Sequence, residues 1–155
     1  MDLSTSQRTD MCGTLTAADV GRTVTVCGWV DKRREHGEHL AFIDLRDRTG
    51  VVQCVVNISH DLRSEYVASM TGSVRLRPDD TANRDLATGE IEIEVSEIEI
   101  LAQAEPPPFP LDERTDVDET IRLRHRYVDL RKERMQRNLR TRAAVNSALR
   151  RGMEE

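Results

Sequence analysis

Arginines, one phenylalanine and one glutamine stand between apolar residues in the stretch from Cys27 to Val56. Apolar and polar residues alternate there, and Gly37 and Gly50 interrupt the alternation, so the pattern predicts three short β-strands joined by two turns. A small sheet that shows guanidinium groups, a ring and an amide on one face could hold a single-stranded nucleic acid. The alternative is a twisted hairpin whose charges are ordinary solvated side chains, because exposed charge is the norm. Periodicity leaves both interpretations open.

The phase of each predicted strand decides which of these side chains share a face. In the second strand, residues 40–46, Phe42 falls in a phase with polar neighbours, and the opposite phase is apolar and is assigned to the core. Gln53 is the one polar residue of the third strand, residues 51–56. It marks either an edge or outward position or a functional side chain, and both interpretations stand. The core phase of the second strand consists of Ala41, Ile43 and Leu45.

A change of period follows the third strand. Leu62, Tyr66 and Met70 recur every four residues, so the spacing predicts a helix over residues 59–70. A fourth strand is then predicted at residues 73–77, before a polar loop that begins with a proline.

The fifth strand has the clearest pattern in the chain. From residue 91 isoleucine and valine alternate with glutamate, and the apolar phase then shifts between Val95 and Ile98, which indicates a bulge or bend. Three strands, a helix and two further strands form the element order of the OB-fold, a Greek-key barrel that binds oligonucleotides and oligosaccharides. The predicted fold class is mainly β: a five-stranded OB-fold Greek-key barrel with a helix between strands 3 and 4, followed by a C-terminal helical extension. A plain β-barrel or sandwich is the competing architecture.

Composition argues against several classes of protein. The 155 residues carry a formal net charge of −5, which argues against coating nucleic acid non-specifically but leaves a local site open. The three cysteines are widely spaced without a C-x-x-C pair, so neither a disulfide framework nor a zinc site is expected, and no metal ligand or catalytic residue is assigned. No apolar run approaches the roughly 20 residues that span a bilayer, and the first ten residues are polar, so we expect a cytoplasmic protein that does not bind membranes.

Proline and basic residues divide the chain. Four of the five prolines fall within residues 106–110, and such a run favours stiff polyproline geometry and predicts a boundary. Residues 121–151 hold eleven Lys and Arg against two acidic residues, which indicates either a surface that lies along nucleic acid or a helix that packs against another element. The predicted segments are a lead-in at 1–20, an OB-fold domain at 21–104, a proline-rich linker at 105–120 and a helical segment at 121–155.

Several strings of residues together resemble the start of bacterial-type aspartyl-tRNA synthetases, and the resemblance covers nearly the whole chain from Cys12 onward. Single strings are similar to the lysine and asparagine members of the same subclass. The string from Phe42 to Gln53, followed by the string from Thr88 to Glu92, favours the aspartate member. The strings are Gly28-Trp29-Val30, Arg33-Arg34, His36-Gly37, Phe42–Gln53, Thr88–Glu92 and Arg126–Arg131.

This resemblance implies an OB-fold that binds the anticodon loop of aspartate tRNA. By that match Phe42 would stack on an anticodon base, Gln53 and Glu92 would bond base edges, and Arg34 would contact the loop. His36 occupies a position where histidine goes with enzymes that charge both aspartate and asparagine tRNA, and the alternative is a solvent-exposed loop histidine. The arginines that could serve phosphates are Arg33, Arg46, Arg48, Arg75 and Arg77.

The resemblance also implies a longer, homodimeric enzyme that attaches aspartate to tRNA. That enzyme would use ATP and Mg²⁺ to form aspartyl-adenylate, and its class II catalytic motifs are missing from these 155 residues, so we expect this chain alone to be inactive. Two other hypotheses stay open. One is a free-standing OB-fold that binds single strands or regulates a partner enzyme, and the other is an element that serves dimerisation.

Overall fold

The computed structural model describes residues 7–36, 40–78 and 80–154. The turn predicted at Gly37 and the first six residues of the predicted lead-in lie outside the described residues. The chain forms two compact units, Met1–Pro106 and Pro107–Glu155. They divide within the segment predicted as a proline-rich linker, and the finer division into four segments stays a prediction.

The first unit consists of five strands, β1 (Thr23–His36), β2 (Leu40–Arg46), β3 (Val51–Val56), β4 (Val67–Leu76) and β5 (Ile91–Ala102). They close into a barrel in the order β1-β2-β3-β5-β4, and β4 pairs back onto β1. Neighbouring strands are antiparallel except β3 and β5, which are parallel. The five strands and their closure confirm the predicted OB-fold barrel.

Alternation along the strands sends one set of side chains into the barrel. In β2, Ala41, Ile43 and Leu45 are at most 4% exposed, which confirms the predicted core phase. Val24 and Val26 of β1 are fully buried in the same cluster. Each side chain of this kind contributes about 1.5–3 kcal/mol when it leaves water, so the core phase holds the outward residues of each strand in fixed positions.

The helix predicted over residues 59–70 is wrong. Residues 57–66, all of them described, connect β3 to β4 without a helix, and β4 already begins at Val67. From Val67 onward the backbone pairs with β1 on one side and β5 on the other, and these ladders replace helical hydrogen bonds. Just before them Glu65 has φ 66°, a left-handed conformation that interrupts a right-handed helix.

The spacing that suggested this helix has a different cause. Leu62 and Tyr66 are buried within the connection, and Met70 is buried within β4. The Nη1 of Arg33 fixes the connection by donating to the Leu62 carbonyl at 2.6 Å. Three apolar side chains four residues apart therefore reach one core from a loop and a strand.

A bulge in β5 lies where the apolar phase shifts. Thr71 pairs with Glu97 and Gly72 pairs with Val95, so Ser96 is one extra residue on β5. This confirms the predicted irregularity between Val95 and Ile98. A Cβ on Gly72 would overlap the Glu94 carbonyl oxygen, so the close approach of β4 to the bulge requires glycine.

Asp47 joins the N-terminal segment to the turn between β2 and β3. Its Oδ2 accepts from the backbone N–H of Cys12 at 2.7 Å, and its Oδ1 accepts from the N–H and hydroxyl of Thr49 at 2.7 and 2.6 Å. Burial disfavours the charged form, but these bonds outweigh it and hold the pKa of Asp47 below its usual value. The ionised carboxylate is therefore part of the fold.

The second unit contains three helices, α1 (Glu119–Arg124), α2 (Arg126–Asp129) and α3 (Glu133–Glu154). Fully buried Asp129 pairs with Arg122 at 2.8 Å and Arg126 at 2.5 Å, and Lys132 lies 5.6 Å from the ring centre of Phe109. Three basic residues of the segment 121–151, namely Arg122, Arg126 and Lys132, thus have partners within the second unit. These helices confirm the predicted C-terminal helical extension. In the ranges that the structure describes, no helix combines the length and apolar content needed to cross a bilayer.

Candidate nucleic-acid interface

A cleft of about 450 Å³ lies between the outer face of the barrel and residues of the loop that follows β4. It collects side chains from all five strands, because closure of the barrel puts β3 next to β5. Gln53 and Glu92, 39 positions apart in the sequence, are thereby in direct contact. The predicted site residues that line the cleft are Arg34, Phe42, Gln53, Arg75, Arg77 and Glu92.

Phe42 supplies the aromatic surface of the cleft. It is half-buried and pairs with Arg34 across the β1–β2 ladder and with Val55 across the β2–β3 ladder. The exposed ring of His36 meets it edge to face, with centroids 6.3 Å apart and planes at 77°. This contact steadies the ring of Phe42, whose faces are the kind of surface on which a base stacks.

Gln53 is oriented by a partner at each end of its amide. It is 8% exposed, its Nε2 donates to Glu92 Oε2 at 2.9 Å, and its Oε1 accepts from Arg34 Nη2 at 3.1 Å. Because β3 lies between β2 and β5 in the closed barrel, the edge interpretation of Gln53 is wrong. The amide is a buried, directed group in the wall of the cleft.

Glu92 is 3% exposed and accepts a hydrogen bond at each carboxylate oxygen. Gln53 donates to Oε2, and Arg75 Nε donates to Oε1 at 2.8 Å. Arg75 also pairs with Glu94 at 2.9 Å. A buried carboxylate with an arginine and an amide as donors is compensated electrostatically, so Glu92 presents a fixed acceptor to the cleft.

Asp44 holds the other side of this arrangement. The residue is 7% exposed, and its Oδ1 accepts from Arg34 Nη2 at 2.8 Å, the same nitrogen that donates to Gln53. Burial raises the pKa of Asp44, and the Arg34 guanidinium opposes that rise. Asp44, Arg34, Gln53, Glu92 and Arg75 therefore form one continuous chain of contacts across β1 to β5, which we call the cleft network.

Arg77 differs from the other arginines of the cleft because it is only 7% exposed. Its Nε donates to the Ile91 carbonyl at 2.9 Å, whereas its Nη2 is buried and has no hydrogen-bond partner in the described part of the chain. Desolvation lowers the pKa of this guanidinium. The loop that faces it is tied to the barrel by the Thr88 hydroxyl, which donates to the Val51 carbonyl at 2.6 Å.

Charges nearly cancel within the cleft. Three guanidinium groups and two carboxylates line it, which leaves one positive charge. The carboxylates also occupy donors of Arg34 and Arg75. Such a surface is suited to selective contacts with base edges more than to dense neutralisation of phosphates.

Comparison with known proteins assigns the family. Residues 24–101 match the tRNA anticodon family model, described as an OB-fold nucleic acid binding domain. The chain belongs to the tRNA anticodon OB-fold family. Its matched region spans the barrel from β1 to β5 and contains every strand residue of the cleft network.

Two curated relatives are named aspartate–tRNA(Asp/Asn) ligase. The relative from Desulfosudis oleivorans is 46% identical over 96% of this chain and 26% of its own length. The relative from Caldanaerobacter subterraneus subsp. tengcongensis is 48% identical over 93% of this chain, again 26% of its own length. The chain thus spans about a quarter of these relatives.

A solved structure shares the fold of the anticodon OB-fold protein. The aspartyl tRNA synthetase from Entamoeba histolytica superposes with a TM-score of 0.79 at 20% identity, over 89% of this chain and 35% of that one. The two chains therefore share a fold although their sequences are only 20% identical.

Four of the predicted site residues do not line the cleft. Arg33 follows the phase opposite to Arg34 and reaches the loop after β3, where it bonds to Leu62. Arg46 pairs with Asp31 and, at 3.1 Å, with Glu65. Arg48 belongs to the turn between β2 and β3. His36 is likewise outside the lining residues but touches the cleft through Phe42.

Seven residues that line the cleft are not among the predicted site residues: Leu40, Asp44, Val55, Pro78, Thr81, Asn83 and Leu86. Asp44 shares the outward phase of Phe42, and that phase was the available signal. The loop after β4 has no periodicity from which its inward side chains could be found. The residues of this loop that line the cleft and were not predicted are Pro78, Thr81, Asn83 and Leu86.

Proposed function

We propose that the cleft recognises bases in the anticodon loop of aspartate tRNA and of asparagine tRNA. Two findings support this: the anticodon OB-fold family match and relatives named for both tRNAs. The observation that carries the proposal is the buried Gln53 amide held between Arg34 and Glu92, beside an accessible ring. Oriented donors and acceptors next to a stacking surface are the requirements for selective binding of unpaired bases.

Each group in the cleft has a role that its chemistry suits. Phe42 stacks on one base, and the stacked base brings its edge to the wall of the cleft. Gln53 and Glu92 bond that edge or the edge of a neighbouring base, because an amide and a carboxylate distinguish donors from acceptors. Arg34 contacts the loop with the donors that the cleft network leaves open, since a guanidinium carries five N–H groups.

Phosphate contacts fall to the arginines predicted for them, and those arginines differ in access. The Arg75 side chain is 42% exposed and lies in the cleft, whereas Arg33 and Arg46 are engaged elsewhere on the barrel. Arg77 is 7% exposed, its Nε donates to the Ile91 carbonyl, and its Nη2 is buried without a hydrogen-bond partner among the described residues, so it is less accessible to a phosphate than Arg75. Arg75 is therefore the phosphate-binding arginine of the cleft.

His36 would make recognition permissive for the two tRNAs. The names of the relatives include both aspartate and asparagine tRNA, which agrees with this assignment. The ring of His36 contacts Phe42, so an effect of His36 on tRNA choice has a direct route to the stacking surface.

The remaining functions belong to a longer protein. The relatives are about four times the length of this chain, and we propose that the chain acts as the anticodon-binding part of an aspartate–tRNA ligase in the cytoplasm. Aspartyl-adenylate formation with ATP and Mg²⁺, transfer of aspartate to tRNA and homodimer formation would reside largely outside these residues.

A titration with RNA tests the proposal. The chain is titrated with the aspartate tRNA anticodon stem-loop and with a version whose loop sequence is scrambled, at one fixed salt concentration because phosphate contacts depend on salt. Tighter binding of the authentic loop is expected. Equal affinity for the two loops would contradict base recognition and would favour a general single-strand binder.

A further inference from the structure

Asp44 and Gln53 meet at a single nitrogen atom. They lie directly opposite each other in the β2–β3 ladder, and Arg34 Nη2 donates to Asp44 Oδ1 at 2.8 Å and to Gln53 Oε1 at 3.1 Å. An ionised carboxylate can only accept hydrogen bonds, so Asp44 cannot bond to Gln53 Oε1 directly. The guanidinium joins two acceptors that would otherwise repel each other.

The two hydrogen-bond partners of Gln53 determine which way its amide points. Oε1 faces the Arg34 donor, and Nε2 faces the Glu92 acceptor. A reversed amide would place donor against donor at Arg34 and acceptor against acceptor at Glu92. The donor–acceptor sense of Gln53 therefore depends on a positive group at one end and a negative group at the other.

The side chains of Arg34 and Glu92 are not held in place equally firmly. The Glu92 side chain is 4% exposed and bonded to Arg75, whereas the Arg34 side chain is 53% exposed. A long exposed arginine samples many rotamers unless a partner restricts it. Asp44, with a side chain 10% exposed on a paired strand, is a rigid anchor for Arg34.

We infer that Asp44 is a positioning residue of the cleft: it holds Arg34 against Gln53 and thereby fixes which end of the Gln53 amide donates and which accepts. This inference rests on the proposed recognition of anticodon bases. Asp44 acts without touching RNA. Asp44 affects which base is chosen, because a Gln53 amide that points the wrong way can still form hydrogen bonds but presents a donor where an acceptor is needed, or the reverse.

A structural role for this carboxylate would have the opposite signature. Burial raises the pKa of Asp44, so keeping the group ionised at neutral pH costs stability. A carboxylate that served the fold through its pair with Arg34 would instead lose stability when it is replaced by an amide. Positioning predicts that neutralising Asp44 spares the fold and damages selectivity.

Asp44→Asn tests this, because it removes the charge at nearly constant volume. Affinity is measured for the aspartate tRNA anticodon stem-loop and for versions with one loop base replaced at a time. The ratio between authentic and substituted loops is expected to fall on the order of tenfold, with a melting temperature equal to or above that of the unsubstituted chain. Asp10→Asn is the matched control, since Asp10 pairs with Arg22 at 3.2 Å away from the cleft and should leave the ratio unchanged.

A double-substitution cycle separates action through Arg34 from an independent effect. Arg34→Ala lowers the same ratio, and adding Asp44→Asn to it is expected to cause no further loss. Losses that multiply would show that Asp44 acts by another route and would overturn the inference.

The outcomes separate the inference from the proposed function. If the unsubstituted chain discriminates among loops and Asp44→Asn discriminates equally well, the inference alone is overturned. A lower melting temperature for Asp44→Asn would assign Asp44 a structural role and overturn it as well. If the unsubstituted chain binds all loops equally, the proposed function fails and the inference fails with it.

Discussion

Phe42 shows how much a single side chain contributes to the cleft. Its ring is half-buried, lies beside the cleft network and is braced by His36. Neighbouring polar groups determine which base is accepted, but a ring face binds any base, because every base has a π surface. Affinity and selectivity are thus carried by different residues of the same surface.

Removing the ring should weaken binding without abolishing selectivity. Phe42→Ala is expected to weaken binding of the aspartate tRNA anticodon stem-loop by about 1–3 kcal/mol, the range for base–aromatic stacking. Fluorescence anisotropy with a labelled stem-loop measures the change. Phe42→Tyr retains a ring and should keep most of the affinity, and an unchanged affinity in Phe42→Ala would remove Phe42 from the interface.

At the scale of elements, the turn between β2 and β3 depends on the Asp47 carboxylate. Asp47→Asn exchanges one acceptor oxygen for an amide donor and is expected to destabilise the first unit by about 1.5–3 kcal/mol at pH 7, because bonds to a charged group are lost. Urea denaturation followed by circular dichroism gives the difference in free energy of unfolding.

The same comparison should depend on pH in a defined direction. The pKa of Asp47 is lowered in the folded state, so its contribution to stability is fully present above the usual aspartate pKa of about 3.9 and is lost as pH falls through the lower folded value. The gap between the unsubstituted chain and Asp47→Asn should therefore shrink in acid. A gap that stays constant from pH 7 to pH 3 would show that the charge is not what stabilises the turn.

The crossing of β4 and the β5 bulge gives a second prediction at this scale. Gly72→Ala should destabilise the barrel by about 1–3 kcal/mol, because its Cβ would overlap the Glu94 carbonyl oxygen. Thermal unfolding measures the loss. Ser73→Ala, at the exposed next position of β4, is the control and should change little. Equal melting temperatures for the two variants would mean that β4 and β5 can move apart to admit the extra Cβ without loss of stability.

At the scale of the whole molecule, charge separates selective binding from general attraction. The chain has a net charge of −5, and three guanidinium groups line the cleft. Because Arg75 is the one cleft arginine assigned to a phosphate, the slope of log affinity against log salt for the stem-loop should be no steeper than about −1. Titrations at several salt concentrations measure it. A much steeper slope would show that the basic residues of 121–151 also bind RNA.

Alternation in the sequence was sufficient to show which residues of β2 and β5 point outward. Alternation is a local property, since successive side chains of a strand lie on opposite faces whatever it pairs with. It therefore located the core phase of β2, the shared face of Phe42 and Asp44, and the shift of phase near Ser96 that the structure shows as a bulge. Motif strings then gave the anticodon OB-fold family, which the family match confirms.

Which outward residues meet depends on how the strands pair in the closed barrel. Gln53 and Glu92 touch because barrel closure places β3 beside β5. Arg33 is in the phase opposite to Arg34, and the path of the loop after β3 gives it the Leu62 carbonyl as a partner. The same closure turned residues 67–70 from a predicted helix into a strand that pairs on both sides. Contacts between distant positions depend on strand order and register, and a local pattern of side chains does not specify either of these.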